Sequence, residues 1–356
     1  MSKPAAPTAR PLKIALLSYA YSPGVGGIET VSQLLATGLA ARGHALRVVT
    51  HTPAAPGSAN AGDGGIVRRP SAGRLLSVLR WSDVVLQSNV SVGLAWPLVT
   101  RIVRRPHVVV NHTPISRTDS QRTWRDWLKL ASLHGAHVYS VSQYLRSVTL
   151  ESSGIMPNPY DVQSFHLPPD AAVGPRAGEL LFLGRIVRAK GLDVLIEALH
   201  LLARQGFRPR LSIAGEGAER PVIEARVAEV GLQDQITWLG VLRGSRLGQA
   251  LREHRVVVVP SRPEPPEALG LVSVEAIACG CVVIASRQGG LPEAVGPCGL
   301  LVPPEDPAAL AQAIRELLTD EALQARLLEK REAHLAQFHP EAVLTAYEAA
   351  MRKAMV

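Results

Sequence analysis

Apolar and polar positions alternate along this chain in blocks with the lengths of buried strands and amphipathic helices. LKIALLSYA at 12–20 is a short apolar run ending in a Pro/Gly-rich loop, the pattern of a parallel strand covered on both faces. After SPGVGG, the stretch IETVSQLLATGLAARG carries apolar residues at helical spacing and stops at Gly43. ALRVVTHT then reads as a second strand. DVVLQS (83–88), HVVVNHT (107–113) and AHVYSVS (136–142) read as further strands between helical stretches. This alternation predicts an α/β fold with a doubly wound parallel sheet.

The alternation pauses over 154–178, where GIMPNPYDVQSFHLPPDAAVGPRAG is rich in Pro, Gly and polar residues. It resumes with strands in ELLFLGRI, RLSIAGEG, QITWLGV, VVVVPS and VVIASR. Helices are expected in GLDVLIEALHLLARQG, ERPVIEARVAEVG, LVSVEAIACG, PAALAQAIRELLTD and the terminal PEAVLTAYEAAMRKAM. The expectation is two Rossmann-like domains facing a cleft, at 12–160 and 179–339, joined by a linker at 161–178. Residues 1–11 lack the apolar run of a signal peptide and read as a disordered tail.

Composition sharpens this picture at two points. The formal charge is +8, but residues 1–178 hold 18 Lys+Arg against 8 Asp+Glu, and the remainder holds 20 against 22. A basic first half attracts anions such as a phospholipid surface, a lipid diphosphate, a sugar acid or nucleic acid. Cys279, Cys281 and Cys298 are odd in number and lack metal-ligand spacing, which points to a reducing cytoplasm without a zinc site.

Ligands of open α/β sheets sit beyond the carboxyl ends of the strands, and three polar clusters fall there. Gly24, Gly26 and Gly27 precede a helix start, where glycines let a phosphate approach the backbone; a tight turn would use the same residues. The dinucleotide fingerprint would need Gly where Glu29 stands, and no P-loop lysine follows. Gly184-Arg185 through Lys190-Gly191 sets two cations at a strand-to-helix turn, suited to a departing diphosphate. Glu267 and Glu275 flank a loop-to-helix junction, and a glutamate among Val274, Ala276 and Ile277 is costly unless partnered. Glu264 competes with Glu267 for the first carboxylate. No Asp-x-Asp pair offers a divalent ion its usual clamp, so no metal is expected.

Together FLGRIVRAKGLDVLIEAL, SIAGEGAER, ITWLGV, EALGLVSVEAIACGCVVIAS, GGLPE and GLLVPPEDPAAL resemble glycosyltransferase family 4, retaining enzymes of the GT-B fold. GGIE at 26–29, NHTP at 111–114 and PNPYD at 157–161 extend the likeness to the first half. The resemblance implies no cofactor beyond a nucleotide-diphosphate sugar donor, UDP-sugar or GDP-sugar. It implies that Arg185 and Lys190 bind the donor diphosphate, Glu275 the ribose hydroxyls and Glu267 the donor sugar. The backbone of Leu269, Gly270 and Leu271 would line sugar and phosphates, and that near Val241 would meet the base. His112 would point at the transferring sugar; a satisfied histidine at a strand end is the alternative. Gly26 and Gly27 would let the first domain close on the diphosphate, and the helix 340–356 would pack back on that domain. Where the family has Glu-Gly-Phe-Gly, this chain has Glu267-Ala268-Leu269-Gly270, which alters the loop against the sugar.

The acceptor expected on the first domain is a glycan or lipid-linked molecule of cell-envelope polysaccharide, lipopolysaccharide or glycolipid synthesis. Arg68, Arg69, Arg74, Arg80 and Trp81, with Arg117, Arg122, Arg125 and Lys129 around Trp124 and Trp127, would suit an anionic membrane on its cytoplasmic face. The same residues read equally as the wet side of helices packed on a sheet. Rival functions are a nucleotide-sugar epimerase or a dead sugar-nucleotide binder on the same frame. A nucleic-acid-binding protein is a third, but no recognition-helix or stacked-aromatic signature supports it.

Overall fold

The computed structural model describes residues 10–24, 26–55, 65–115, 123–168 and 176–356. The chain divides into two compact units, Met1–Pro159 with Pro340–Val356, and Tyr160–His339.

The first unit runs β1 (Lys13–Ser18), α1 (Gly27–Ala41), β2 (Ala45–Thr50), β3 (Ile66–Arg68), α2 (Ala72–Trp81), β4 (Val84–Ser88), α3 (Val92–Val99), β5 (His107–Asn111), α4 (Trp124–Ser132), β6 (His137–Ser140), α5 (Gln143–Thr149) and β7 (Gly154–Ile155). Its parallel sheet has the order β3-β2-β1-β4-β5-β6-β7. Every residue of β4 and β5 is buried, as a sheet covered on both faces requires. The order reverses between β1 and β4, so a crevice forms beyond Ser18 and Ser88.

The second unit runs β8 (Gly178–Leu183), α6 (Leu192–Arg204), β9 (Leu211–Ala214), α7 (Arg220–Glu229), β10 (Ile236–Gly240), α8 (Gly244–Glu253), β11 (His254–Val259), α9 (Leu271–Ala278), β12 (Val282–Ser286), α10 (Leu291–Val295), β13 (Gly299–Val302), α11 (Pro307–Thr319), α12 (Glu321–Leu328) and α13 (Arg331–Leu335). The sheet order is β10-β9-β8-β11-β12-β13, again parallel, with its reversal between β8 and β11. The core joins Leu180, Phe182, Val256, Val258 and Ile284 of the sheet to Leu195, Leu199 and Ile314 of α6 and α11.

The last helix, α14 (Pro340–Ala354), belongs to the first unit and lies on α1. His44 links three elements there. Its Nδ1 accepts the Leu12 N–H at 3.0 Å, and its Nε2 meets Glu348 at 2.9 Å. Arg42 also reaches α14, pairing Glu341 at 2.5 Å and Glu348 at 3.1 Å.

Candidate active site

The reversal point of the second sheet brings together residues from two distant loops. Beyond β8 the chain passes Gly184 and Arg185, tightens into a 3₁₀ turn over Arg188–Lys190, and enters α6 through Gly191. Gly191 has φ 67°, and a Cβ there would lie 2.0 Å from the Pro260 carbonyl oxygen. Only glycine permits this approach of the two loops. Arg262 then ties them: its N–H donates to the Ala189 carbonyl at 2.9 Å, and its guanidinium pairs with Asp193 at 2.5 Å and with Glu305.

Glu267 stands at the centre of this arrangement. Lys190 Nζ forms an ion pair with its Oε1, and Ser261 Oγ donates to the same oxygen at 2.9 Å. Its backbone N–H donates to Gln288 Oε1 at 3.2 Å, and its carbonyl accepts from Gly290 N–H at 2.7 Å. Glu264 is exposed and makes no such contact among the described residues, so of the two carboxylates only Glu267 is joined to Lys190 and Ser261. Arg185 is exposed and has no carboxylate partner among the described residues. An unpaired guanidinium and a paired ammonium thus occupy the ends of one turn.

The loop after Glu267 buries Leu269 and turns at Gly270, which caps α9 with φ 87°. Leu271 opens the helix, whose first N–H groups have no partners within it and give that end a partial positive charge. Glu275 lies one turn further in. It is 8% exposed, and its carboxyl makes no hydrogen bond or ion pair with described residues. Burial, helped by the charge of Asp161, pushes its carboxyl up to about 8. Val241, just past β10, is exposed.

In the first unit, Gly26 caps α1 and Gly27 is its first residue. His112 follows β5 and is buried, and burial lowers its pKa to about 4 against a smaller opposing effect of the Asn158 side chain. The ring is neutral near pH 7. Its Nε2 meets Ser88 Oγ at 3.1 Å, Ser88 accepts from Ser32 Oγ at 2.9 Å, and Ser32 meets Ser18 Oγ at 2.9 Å. A chain of buried hydroxyls from β1, α1 and β4 therefore ends on His112 at the reversal point of this sheet.

The basic stretches of the first unit serve mixed ends. Arg68 donates to the Ser22 carbonyl at 2.8 Å, Arg47 covers the Trp81 ring at 4.1 Å, and α2 buries Leu75, Val78 and Leu79. Trp124 and Trp127 are exposed at 67% and 59%. Arg117 and Arg122 lie outside the described residues, as does the side chain of Arg125. Ser261, Arg262, Gln288 and Asp161 were given no role by sequence reasoning. Ser261 stands within the same PSRPEPPEALG segment as Glu267, the one signal that could have drawn notice.

Two family models match successive parts of this chain. "Glycosyltransferase Family 4" matches residues 25–164 and "Glycosyl transferases group 1" matches residues 177–320. This chain belongs to the family 4 type of glycosyltransferase. An uncharacterized glycosyltransferase of Methanocaldococcus jannaschii is 26% identical to this family 4 chain over 87% of it and 90% of the relative. A D-inositol 3-phosphate glycosyltransferase of Acidothermus cellulolyticus is 36% identical over 48% of the chain, but the match spans only 41% of that relative. Among solved structures, the chain is similar to a sucrose-phosphate synthase from Thermosynechococcus elongatus, with a TM-score of 0.77, 26% identity, and coverage of 97% and 99% of the two chains. It also shares the GT-B fold of Anabaena HepE in complex with UDP-glucose, with a TM-score of 0.75, 19% identity, and coverage of 96% and 100%.

Proposed function

We propose that the chain is a retaining, metal-independent glycosyltransferase that moves a sugar from a nucleotide diphosphate to a glycan or lipid-linked acceptor. The observation that carries this reading is the convergence of Lys190, Ser261 and Glu267, beside the unpaired Arg185, at the reversal point of the second sheet. Such an arrangement suits a ligand with two charged phosphates next to a polyhydroxylated ring.

In this reading Arg185 and Lys190 hold the donor diphosphate, and the positive end of α9 adds to them through the backbone of Leu269, Gly270 and Leu271. With Oε1 of Glu267 held by Lys190 and Ser261, its second oxygen is left to accept from the donor sugar's hydroxyls. Glu275 receives the ribose hydroxyls, and the backbone near Val241 meets the base. As the anomeric C–O bond breaks, its electron pair leaves on the diphosphate oxygen, where the two cations stabilise it. The acceptor hydroxyl forms its bond to the anomeric carbon on the same face and gives its proton to the departing phosphate oxygen, so Glu267 is not a nucleophile. His112, neutral and held by Ser88, contributes a fixed dipole and no charge. Gly26 and Gly27 let the first unit approach the diphosphate without side-chain hindrance.

A uracil donor is favoured because the structural neighbour HepE is described with UDP and UDP-glucose. The setting we propose is envelope polysaccharide or glycolipid synthesis at the cytoplasmic face of a membrane, which the basic first unit would meet. A thermal-shift panel of nucleotide diphosphates and their sugars tests the reading. A true donor raises the melting temperature by an amount that grows with the logarithm of its excess over the dissociation constant, and a panel with no stabiliser contradicts it. Turnover that persists in a chelator supports the metal-independent form.

A further inference from the structure

Three neighbouring strands of the first unit end in one row of aromatic and cationic side chains. β1, β2 and β3 run parallel, with Leu17 beside Val49 and Thr50 beside Arg68. Carried past the last strand residues, that register sets Tyr19, His51 and Arg69 side by side. They stand at the carboxyl end of the sheet, where open α/β sheets take their ligands. The Tyr19 and His51 rings lie 5.4 Å apart at 58°. Backbone contacts hold the row in place. The His51 N–H donates to the Tyr19 carbonyl at 3.3 Å, and the Thr50 hydroxyl donates to the same oxygen at 3.2 Å. The Arg69 N–H donates to the Thr50 carbonyl at 2.7 Å.

The side chains of this row are left open. Tyr19 is 62% exposed, although Ser18 before it is fully buried. The Tyr19 hydroxyl and the His51 ring nitrogens make no hydrogen bond among the described residues. Arg69 Nε donates to the His51 carbonyl at 3.3 Å, and its two terminal nitrogens have no partner among the described residues. The backbone of Arg69, at φ 44°, lies in the left-handed region that few residues other than Gly, Asn and Asp adopt. On the other side of Tyr19 the register continues to Asn89, whose side-chain oxygen accepts the His112 N–H at 3.4 Å. Only β4 separates β1 from β5, so Tyr19 stands roughly 10 Å from the strand end that carries His112.

We infer that Tyr19, His51 and Arg69 bind a sugar ring that carries a phosphate or a carboxylate, and that this ring belongs to the acceptor. A pyranose presents apolar, weakly positive C–H groups on one face, and these pack on the negative face of an aromatic ring. An arginine with both terminal nitrogens open donates two parallel hydrogen bonds to a phosphate or a carboxylate. Set side by side, the two features select a ligand that has both parts on one small body. A nucleic acid would call for rings stacked in succession, whereas these two are tilted against each other. The assignment to the acceptor rests on the transferase reading, in which His112 faces the transferring sugar. The sugar site itself does not.

The test is titration of the full chain with the 6-phosphates and uronates of glucose and mannose, the free sugars, and inorganic phosphate, read by calorimetry and saturation-transfer NMR. The anionic sugars are expected to bind about tenfold more tightly than the free sugars, and Arg69→Gln should erase that preference. Tyr19→Ala should weaken every sugar about fivefold and reduce saturation transfer to the ring C–H protons, while Tyr19→Phe should keep both. An unchanged melting temperature shows that the variants are folded. Absence of binding by every anionic sugar at millimolar concentration would overturn the inference. So would equal binding by Tyr19→Ala and Arg69→Gln, or inorganic phosphate that binds as tightly as the sugar phosphates. UDP and GDP, titrated in parallel, separate the two readings. A nucleotide that binds while no anionic sugar does overturns this site and leaves the transferase reading standing. Anionic sugars that bind through Tyr19 and Arg69 while neither nucleotide does would overturn the assignment to an acceptor.

Discussion

Lys190 and Glu267 stand 77 residues apart in the chain and form an ion pair where β8 and β11 end. The pair is possible because Gly191 lets the two loops touch and Arg262 fastens them. It keeps the ammonium near the place where phosphate charge would develop, and it fixes one carboxylate oxygen so that the other is free to meet a ligand.

Arg185 has no such partner among the described residues, and in the proposed mechanism its charge is available to the departing diphosphate. Arg185→Ala is expected to lower turnover roughly 100- to 1000-fold, the range for removal of a donor that acts in the transition state. Donor affinity should change far less. Steady-state kinetics on the purified variant check this, and unchanged turnover would remove Arg185 from the mechanism.

Ser261 reaches the same oxygen of Glu267 as Lys190 does, from a position where it need not touch substrate. Ser261→Ala removes one hydrogen bond to a charged group, worth about 1–2 kcal/mol. Turnover should fall roughly 5- to 30-fold, and Ser261→Thr should recover much of it. A Ser261→Ala enzyme with wild-type kinetics would show that Lys190 alone orients the carboxylate.

Buried titratable groups give the folded protein a pH profile with two limbs. Glu275 titrates near 8 when folded, against 4.5 without burial, so the folded state holds a proton that the unfolded state releases. Its contribution is fully present below about 4.5 and is lost as pH rises toward 8. Glu275→Gln should therefore flatten the decline in melting temperature between pH 5 and 8, readings that bracket that window. His107 and His112 act in the other direction. Burial lowers both to about 4 from 6.5, so their contribution is lost as pH falls between those values. A melting temperature that rises from pH 5 to about 6.5 and then levels off in Glu275→Gln, but not in wild type, is the expected signature.

The position of α14 rests on a small residue in the middle of α1. A Cβ at Gly38 would come within 2.5 Å of Leu344 Cδ1, so the glycine is where the two helices approach. Helix propensity alone favours replacing it, by about 1 kcal/mol. Gly38→Leu should nevertheless destabilise the first unit by about 1–3 kcal/mol, because overpacking of this contact outweighs propensity. Chemical denaturation reads the sign directly.

Much of this arrangement is visible in the sequence, for identifiable reasons. β4, β5, β8, β11 and β12 each centre on a run of three or four apolar residues because both faces of the sheet are covered. The glutamate at 275 announced its cost through its apolar neighbours, though its carboxyl has no partner among the described residues. β3, β7 and β13 escaped because two to four residues carry no period. α8 escaped because it buries little beyond Gly248, Ala250 and Leu251 among polar residues. The contact of Arg262 with Asp193 spans 69 residues, which no local pattern encodes, and that of Ser261 with Glu267, only 6 residues away, depends on how the loop between them folds back. The direction of the His112 ring depends likewise on Ser88 and Ser32, from other elements.

Isothermal calorimetry of UDP and GDP, against wild type and Lys190→Ala, tests the claim on which the reading rests. At least one diphosphate should bind wild type with micromolar affinity, and Lys190→Ala should weaken that binding about tenfold or more. Absence of binding by either nucleotide, or equal binding by the variant, would contradict a diphosphate site at the turn that carries Arg185 and Lys190.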